Sequence, residues 1–208
     1  MGKWITFEGI GGCGKGTQIE LIYNWLIEQD IQIVKTKEPG GTEFGSSIRK
    51  LVLPDQHPKL SPFTELMLFQ ADRHETVKQI IIPALNQGAI VLSDRGPFGT
   101  IAYQGFGKGV DLDLIDKITV EATEGRKPDF TFLLDIDPEI AKKRIKERNN
   151  SEIDQFDLEE IQFQEKVRKG FIDAAKNDKA KKVFTIDGSK QIQEIHYEII
   201  NIFEDHII

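Results

Sequence analysis

A glycine-rich stretch near the start of the chain, FEGIGGCGKGTQ (Phe7 to Gln18), carries residues that could bind phosphate. Gly9, four further residues, Gly14 and Lys15 have the spacing of a phosphate-binding loop. Glycines let backbone N–H groups converge on an anion, and a lysine adds a full positive charge. We therefore predict that a nucleotide phosphate binds the loop residues Gly9, Ile10, Gly11, Gly12, Cys13, Gly14, Lys15, Gly16 and Thr17.

The loop departs from the usual pattern directly after Lys15, where Gly16 replaces the expected hydroxyl residue. Gly16 has no side chain that could ligate a metal ion. Thr17, one position later, is therefore the predicted hydroxyl that reaches a phosphate or Mg2+, directly or through water. The alternative is a glycine-rich turn with an exposed lysine, but a predicted strand before the loop and a predicted helix after it favour phosphate binding.

A second group of polar residues lies in SDRGPFGTIAYQG, Ser93 to Gly105. Asp94 and Arg95 stand at the carboxyl end of a predicted strand, where open parallel sheets place their ligand-binding groups. Asp94 could hold hydrated Mg2+ and Arg95 could bind a second phosphate, an arrangement suited to phosphoryl transfer. An isolated Asp-Arg pair would more often be a surface ion pair.

A third pattern places Phe69 and Arg73 four residues apart in TELMLFQADRHE, and so on one face of a predicted helix. An aromatic ring can stack on a base while a guanidinium donates to its carbonyl oxygen, which suits a pyrimidine. Taken alone, Phe69 would more often be a core residue and Arg73 an ion-paired one.

The elements that must position these residues alternate along the chain. Five short apolar runs predict strands, and longer segments with helical spacing separate them, so the sequence predicts an α/β fold with a mostly parallel sheet covered on both faces. The predicted strands are WITFEG, IQIVKTKE, AIVLSDR, FTFLLDID and KVFTID. The predicted helices are Lys15–Gln29, Pro62–Gln87, Leu112–Glu124, Pro138–Arg148, Leu158–Asn177 and Gln191–Glu204.

Length and composition bound the function. The 208 residues are 39% hydrophobic, carry a net charge of −7 and include one cysteine, without a run of apolar residues long enough for a membrane span. We expect a single domain over residues 1–208, in a reducing cytoplasm and with small anionic ligands rather than nucleic acid or membrane as partners. The polar stretch RNNSEIDQFD, residues 148–157, predicts either a lid or a solvated connection.

Several motifs together resemble the thymidylate kinase family. They are FEG....GKGTQ, KEPGGTEFGSSIRK, ELMLFQADR, SDR.......AYQG and FLLDIDPEIAKKRIKER, in this order, and the likeness runs from about Lys3 to Ser189. The resemblance implies a P-loop kinase, usually a homodimer, that transfers the γ-phosphoryl group of ATP to dTMP with Mg2+.

The resemblance also implies roles for individual residues. Catalysis would fall to Lys15, Asp94, Arg95 and Arg148, with Asp94 and Thr17 at the metal. Arg144 and Arg148 would lead from the ATP site into the lid, and the late TIDGS would lie near adenine. The acceptor would contact Glu38, Arg49, Phe69, Arg73, Arg95, Thr100, Tyr103 and Gln104.

The chain departs from this family's pattern at five positions. Relatives commonly carry an acid at Gly11, a hydroxyl residue at Gly16, an aromatic residue or histidine at Gly96, a serine at Gly99 and an arginine at Gln155. Each replacement removes a polar contact to sugar or phosphate. A kinase for another nucleoside monophosphate and a nucleotide-binding protein of low activity therefore remain alternatives, whereas a GTPase is disfavoured because no NKxD motif occurs.

Overall fold

A parallel sheet of five strands forms the centre of the protein. The structure is a computed structural model that describes residues 2–53, 60–147, 156, 159–178, 180 and 182–208. Its strands are β1 (Lys3–Glu8), β2 (Ile33–Lys37), β3 (Ile90–Asp94), β4 (Phe130–Asp135) and β5 (Val183–Asp187). All pairings are parallel, in the order β2-β3-β1-β4-β5, so the α/β prediction and the five predicted strands are confirmed.

Helices connect the strands and cover the sheet. In the described ranges they are α1 (Lys15–Glu28), α2 (Glu43–Val52), α3 (Pro62–Thr76), α4 (Ile82–Asn86), α5 (Pro97–Thr100), α6 (Leu112–Ala122), α7 (Pro138–Glu147), α8 (Ile161–Lys176) and α9 (Ile192–His206). Two π-helical segments, Val77–Ile81 and Ile101–Gly107, follow α3 and α5. The sequence patterns predict neither α2 nor the run from α5 through Gly107.

The predicted helix Pro62–Gln87 is continuous but not regular. It starts where the Ser61 side chain accepts a hydrogen bond from the Thr64 N–H and Pro62 occupies the first turn. Its π-helical segment lies directly before Pro83, which has no N–H to donate and whose ring would collide with the carbonyl four residues earlier. Widening the preceding turn accommodates the proline without ending the helix.

The core lies on both faces of the central strand β1. Trp4, Ile5 and Phe7 are fully buried, and the ring of Phe7 stacks on Phe132 of β4 with centroids 5.1 Å apart. Burial on both faces explains why the strand reads as an almost unbroken apolar run. The sheet therefore holds the carboxyl ends of β1 and β3 rigidly beside each other, with Phe7 in register with Asp94. None of the described helices is both long and apolar enough to cross a bilayer.

Candidate active site

The glycine-rich loop lies between the carboxyl end of β1 and the first turn of α1. Gly9, Gly12 and Gly14 all have positive φ angles, of 137°, 76° and 101°. A Cβ atom at Gly9 would lie 2.5 Å from the carbonyl oxygen of Leu134, so another residue there would require the backbone to move. These glycines allow the loop to curl at the N-terminus of α1, where backbone N–H groups and the helix dipole favour an anion.

Lys15 bonds to its own loop. Its Nζ donates to the carbonyl oxygens of Gly9 at 2.9 Å and Ile10 at 3.2 Å. The ammonium group is thus held over the centre of the loop, from which it could exchange these carbonyls for phosphate oxygens. Cys13 is fully buried beside it and packs against Gly9, which fits a small residue that fills a tight turn.

Asp94 and Arg95 stand beside this loop at the end of β3. The backbone N–H of Arg95 donates to the Phe7 carbonyl at 3.0 Å, and its guanidinium donates to the Gly9 carbonyl at 3.1 Å. Arg95 has a φ of 76°, which is uncommon for a residue with a side chain. The side-chain atom Asp94 Oδ1 is buried and accepts no hydrogen bond from the described residues. An orphaned carboxylate oxygen here fits a hydrated cation as its partner.

A cavity beside Arg95 gathers the predicted acceptor residues. It is lined by Glu38, Pro39, Arg49, Leu53, Phe69, Arg73, Arg95, Gly96, Gly99, Thr100, Tyr103, Gln104 and Phe156. Every residue predicted to contact the acceptor is among them, although they come from β2, α2, α3 and the segment after β3. One side of the cavity carries aromatic rings, with the centroids of Tyr103 and Phe156 5.3 Å apart.

Arg73 is the most heavily bonded side chain of this cavity. Its guanidinium donates to Glu38 Oε2 at 2.8 Å, Thr100 Oγ1 at 2.9 Å, the Gly96 carbonyl at 2.8 Å and Gln70 Oε1 at 3.3 Å. A guanidinium has five N–H donors, so these four bonds leave one for a ligand. The sequence pattern predicts contact with the base but not this network, which fixes Arg73 in place.

Glu8 is a buried acid that the sequence patterns do not single out as a site residue. It is fully buried at the end of β1, where its Oε1 accepts the Gly99 N–H at 3.3 Å and its Oε2 has no partner among the described residues. Burial raises the pKa of Glu8 to about 7, although the positive charges of Arg95, Arg73 and Lys15 lower it. The sequence signal that could have identified Glu8 is a carboxyl residue in a mostly apolar strand, directly before the loop.

Asp72 is a second buried acid that the patterns miss. Its Oδ1 accepts the Gly40 N–H at 2.9 Å and so anchors the turn after Glu38 and Pro39. Burial and, next, the neighbouring charge of Glu38 raise the pKa of Asp72 to about 7. Burial also raises the pKa of Glu38, against the effect of Arg73. The turn that begins at Glu38, beside the cavity, is therefore held by two carboxyl groups whose pKa values are raised.

A second cavity, of about 400 Å³, lies at the loop itself. Gly12, Gly14, Thr17 and Arg144 line it, together with Ser189, the last residue of TIDGS, and residues 190–192 that follow. Arg144 donates to the carbonyl oxygens of Gly188 at 2.6 Å and Ser189 at 3.2 Å, which ties α7 to the segment after β5. The phosphate loop thus lines this second cavity, and Arg95, which lines the first, connects to the loop through its bond to the Gly9 carbonyl.

Two predictions fall on the end of α7 and the segment after it. Arg148 and Gln155 lie outside the described residues, as does the segment 148–157 apart from Phe156. Phe156 is buried against Tyr103 and Phe69 and so contributes to the acceptor cavity. The lid and the role of Arg148 remain predictions.

A strand, a glycine-rich loop with its lysine and a helix, with one cavity at the loop and another at the neighbouring Arg95, define a P-loop phosphotransferase of the nucleotide kinase class. Residues 7–199 match the family model described as thymidylate kinase. The chain is 42% identical to the thymidylate kinase of Sulfurihydrogenibium sp., covering 97% of this chain and 96% of the relative. It is 41% identical to that of Carboxydothermus hydrogenoformans, with 98% and 97% covered.

A solved structure agrees with these sequence matches. The crystal structure of thymidylate kinase from Ehrlichia chaffeensis is similar with a TM-score of 0.78 and 34% identity, over 97% of this chain and 98% of that one. The chain belongs to the thymidylate kinase family. The resemblance inferred from the motifs is therefore confirmed.

Proposed function

We propose that this protein transfers the γ-phosphoryl group of ATP to dTMP, giving dTDP and ADP. The observation that carries the proposal is that the phosphate loop lines one cavity, while Arg95, which donates to the Gly9 carbonyl of that loop, lines the other. In the reaction a phosphate oxygen of dTMP forms a bond to the γ-phosphorus while the bond to the β–γ bridging oxygen breaks. Arg95 connects the phosphate loop to the acceptor cavity, so the two phosphate groups can meet beside it.

ATP binds on the side of Arg144, with its phosphates on residues 9 to 17. Lys15 exchanges its bonds to the Gly9 and Ile10 carbonyls for bonds to phosphate oxygens, and Thr17 adds a hydroxyl at the start of α1. Arg144 and the segment after β5 form the wall near adenine. These roles are supported by the side chains that line the cavity of about 400 Å³.

The acceptor binds on the side of Arg73, where Phe69 offers a ring to stack on thymine and Thr100 and Gln104 offer polar groups to its edge. Arg49 and Arg95 line the same cavity and supply positive charge for its phosphate. Glu38 and Tyr103 complete the wall near the sugar.

Phosphoryl transfer from ATP uses Mg2+, which would neutralise charge on the β- and γ-phosphates. Asp94, with its unpartnered buried oxygen, and Thr17 are the residues that would hold it. No described cluster of three His, Cys, Asp or Glu side chains could hold a metal by itself. Phosphate oxygens and water would supply the other ligands.

Two exposed apolar patches support a homodimer. Phe44 and Leu51 lie two turns apart on α2, and Phe63 and Met67 lie one turn apart on α3, which packs against α2. Exposed apolar area of this kind is typical of protein interfaces. We place the enzyme in the cytoplasm because Cys13 is a free thiol and its substrates are nucleotides.

A coupled ADP-release assay tests the function. The acceptors are dTMP, dUMP, dCMP, dAMP and dGMP, each at saturating ATP and Mg2+. The proposal predicts the highest kcat/KM with dTMP. A higher value with another acceptor would indicate a different nucleoside monophosphate kinase, and nucleotide binding without ADP formation would indicate a binding protein.

A further inference from the structure

The amide of Gln104 is held by an acid that does not itself line the acceptor cavity. Gln104 lines that cavity, and its Nε2 donates to Glu65 Oε1 at 2.7 Å. Both side chains belong to residues that are only 2% exposed, so water cannot readily replace this bond. Glu65 lies in the first turn of α3, four residues before Phe69.

A second bond occupies the other carboxylate oxygen of Glu65. Lys108 Nζ donates to Glu65 Oε2 at 2.6 Å, and its side chain is one-fifth exposed. An ionised carboxylate can only accept hydrogen bonds. The NH2 group of Gln104, rather than its oxygen, must therefore face Glu65.

The fixed amide leaves Gln104 Oε1 as the atom available to a ligand. No residue in the described ranges donates a hydrogen bond to it. Thr100 complements it, because Arg73 donates to Thr100 Oγ1 at 2.9 Å and leaves the hydroxyl proton to be donated elsewhere. The wall of the cavity thus presents an acceptor at Gln104 and a donor at Thr100.

This pair of groups matches one pyrimidine edge and opposes the other. Thymine carries an N3–H donor beside the O4 acceptor, whereas cytosine carries an N3 acceptor beside the 4-amino donor. A cytosine ring in the same pose would set acceptor against acceptor and donor against donor. Sites built to hydrogen-bond one pattern reject the mismatched one strongly, because buried polar groups are left unpaired.

We infer that Glu65 is a positioning residue for acceptor choice, which fixes the Gln104 amide so that the site accepts the N3–H of a thymine-type ring and rejects cytosine. The inference rests on the proposed function, since it assumes that a pyrimidine monophosphate occupies this cavity. Lys108 supports the effect by keeping one Glu65 oxygen occupied. Uracil presents the same N3–H and O4 groups as thymine, so this contact does not distinguish the two bases.

Glu65→Gln tests the inference through the ratio of kcat/KM values for dTMP, dUMP and dCMP. In that variant the amide oxygen at position 65 faces Lys108 and its NH2 group faces Gln104, which turns the Gln104 NH2 toward the ligand. We expect kcat/KM for dTMP and dUMP to fall together by about tenfold or more. The ratio of dTMP to dCMP should fall by at least that factor, while the ratio of dTMP to dUMP stays constant.

Two further variants separate orientation from packing. Lys108→Met removes the bond to Oε2 but leaves Glu65 Oε1 to accept from Gln104, so at alkaline pH, where the carboxyl is ionised, the preference for dTMP over dCMP should persist. The double variant Glu65→Gln with Gln104→Glu returns an acceptor-only group to the cavity and should recover at least tenfold of that preference. This rescue would not follow if Glu65 only filled space.

Other outcomes overturn the inference. Equal losses for dTMP and dCMP in Glu65→Gln, or no recovery in the double variant, would make Glu65 a structural residue only. If Glu65→Gln does not fold, the ratio of kcat/KM for dTMP to that for dCMP can still be measured in the double variant and in Lys108→Met. Wild-type protein that forms no ADP with dTMP would instead refute the proposed function, and this result is distinct from an unchanged ratio in an active variant.

Discussion

Arg73 and Glu38 form an ion pair inside the acceptor cavity wall, with Nε and Oε2 2.8 Å apart and each side chain 4% exposed. The pair joins α3 to the end of β2, so it fixes Arg73, the arginine that we propose contacts the base, to the turn that follows Glu38. Removing one partner of a buried pair leaves the other charge without compensation. Breaking this buried pair should therefore lower the free energy of unfolding more than breaking a surface ion pair of the same length.

We expect Glu38→Gln to lower the free energy of unfolding by about 3 kcal/mol, the range for a broken buried pair. Glu20→Gln is the matched control, because Glu20 pairs with Lys35 at 2.7 Å on the surface and exposed pairs contribute about 1 kcal/mol or less. Urea denaturation of both variants measures the difference. Equal losses would mean that the buried pair adds nothing beyond a surface one.

The raised pKa of Asp72 predicts that the stability of the protein changes with pH. Its pKa is about 7 in the folded chain, against an ordinary value of 3.8. Between these values the folded state binds a proton that the unfolded state has released, so stability falls as pH rises from 3.8 to about 7 and levels off above that. One such proton changes the free energy of unfolding by about 1.4 kcal/mol per pH unit.

Asp72→Asn is the variant that tests this effect, because asparagine resembles the neutral acid and can still accept the Gly40 N–H. The stability of the variant relative to wild type should rise from pH 5 to pH 8 in urea denaturation. Asp113→Asn, at an exposed position on α6, controls for the loss of one carboxylate. A difference between Asp72→Asn and wild type that does not vary with pH would contradict the raised pKa.

Lys15 should contribute mainly to turnover. Lys15→Ala removes the charge held over the loop, and we expect kcat to fall by two or more orders of magnitude, on the order of 3 kcal/mol of transition-state stabilisation. Lys35→Ala, on the exposed side of β2, should leave kcat unchanged. Steady-state ADP release under saturating ATP and dTMP measures both, and near-normal turnover in Lys15→Ala would refute its role.

The strands and the phosphate loop were predictable because their signals are local. Apolar runs mark all five strands, and the spacing of Gly9, Gly14 and Lys15 between a strand and a helix specifies the loop. The run from Pro97 to Gly107 carries glycines that weaken helix propensity, so no helix was predicted there. Packing against α8 overrides propensity, since a Cβ at Gly107 would lie 2.9 Å from the ring of Phe163.

The site residues that the sequence missed depend on contacts distant in the chain. Glu8 lies 91 residues from Gly99, whose N–H it accepts, and Asp72 lies 32 residues from Gly40. Nothing in the spacing of FEG or ADR indicates these partners. The spacing of Phe69 and Arg73 suggested a base-binding face, but the resemblance to the family was needed to favour it, because one aromatic residue on a helix is by itself more typical of a core.

The apolar residues on α2 predict the effect of a charge on assembly. Leu51→Glu should convert a dimer to a monomer, because Leu51 is 53% exposed in the single chain and a dimer through this face would bury it. Ile27→Glu on α1 is the control, at a similar exposure of 47% but away from α2 and α3. Sedimentation velocity of wild type and both variants gives the masses, and a dimer that survives Leu51→Glu would place the interface elsewhere.

Gly11 carries the prediction that bears most directly on how the acceptor sugar is bound. Relatives commonly carry an acid here that reaches the 3′-hydroxyl of the deoxyribose, and a hydrogen bond to a charged group contributes roughly 1.5 to 3 kcal/mol. This chain has no side chain at that position. Removing the 3′-hydroxyl from dTMP should therefore weaken binding to the wild-type protein only slightly.

Gly11→Asp should restore the missing contact and tighten dTMP by up to about tenfold, roughly 1.4 kcal/mol. Gly11→Asn is the matched control, because it has nearly the same size and lacks the charge, so its gain should be smaller. Calorimetric titration of dTMP and its 3′-deoxy analogue into the three proteins measures the effect, and only Gly11→Asp should distinguish the two ligands strongly. Strong discrimination by the wild type would mean that another residue, such as Glu38, already binds the 3′-hydroxyl.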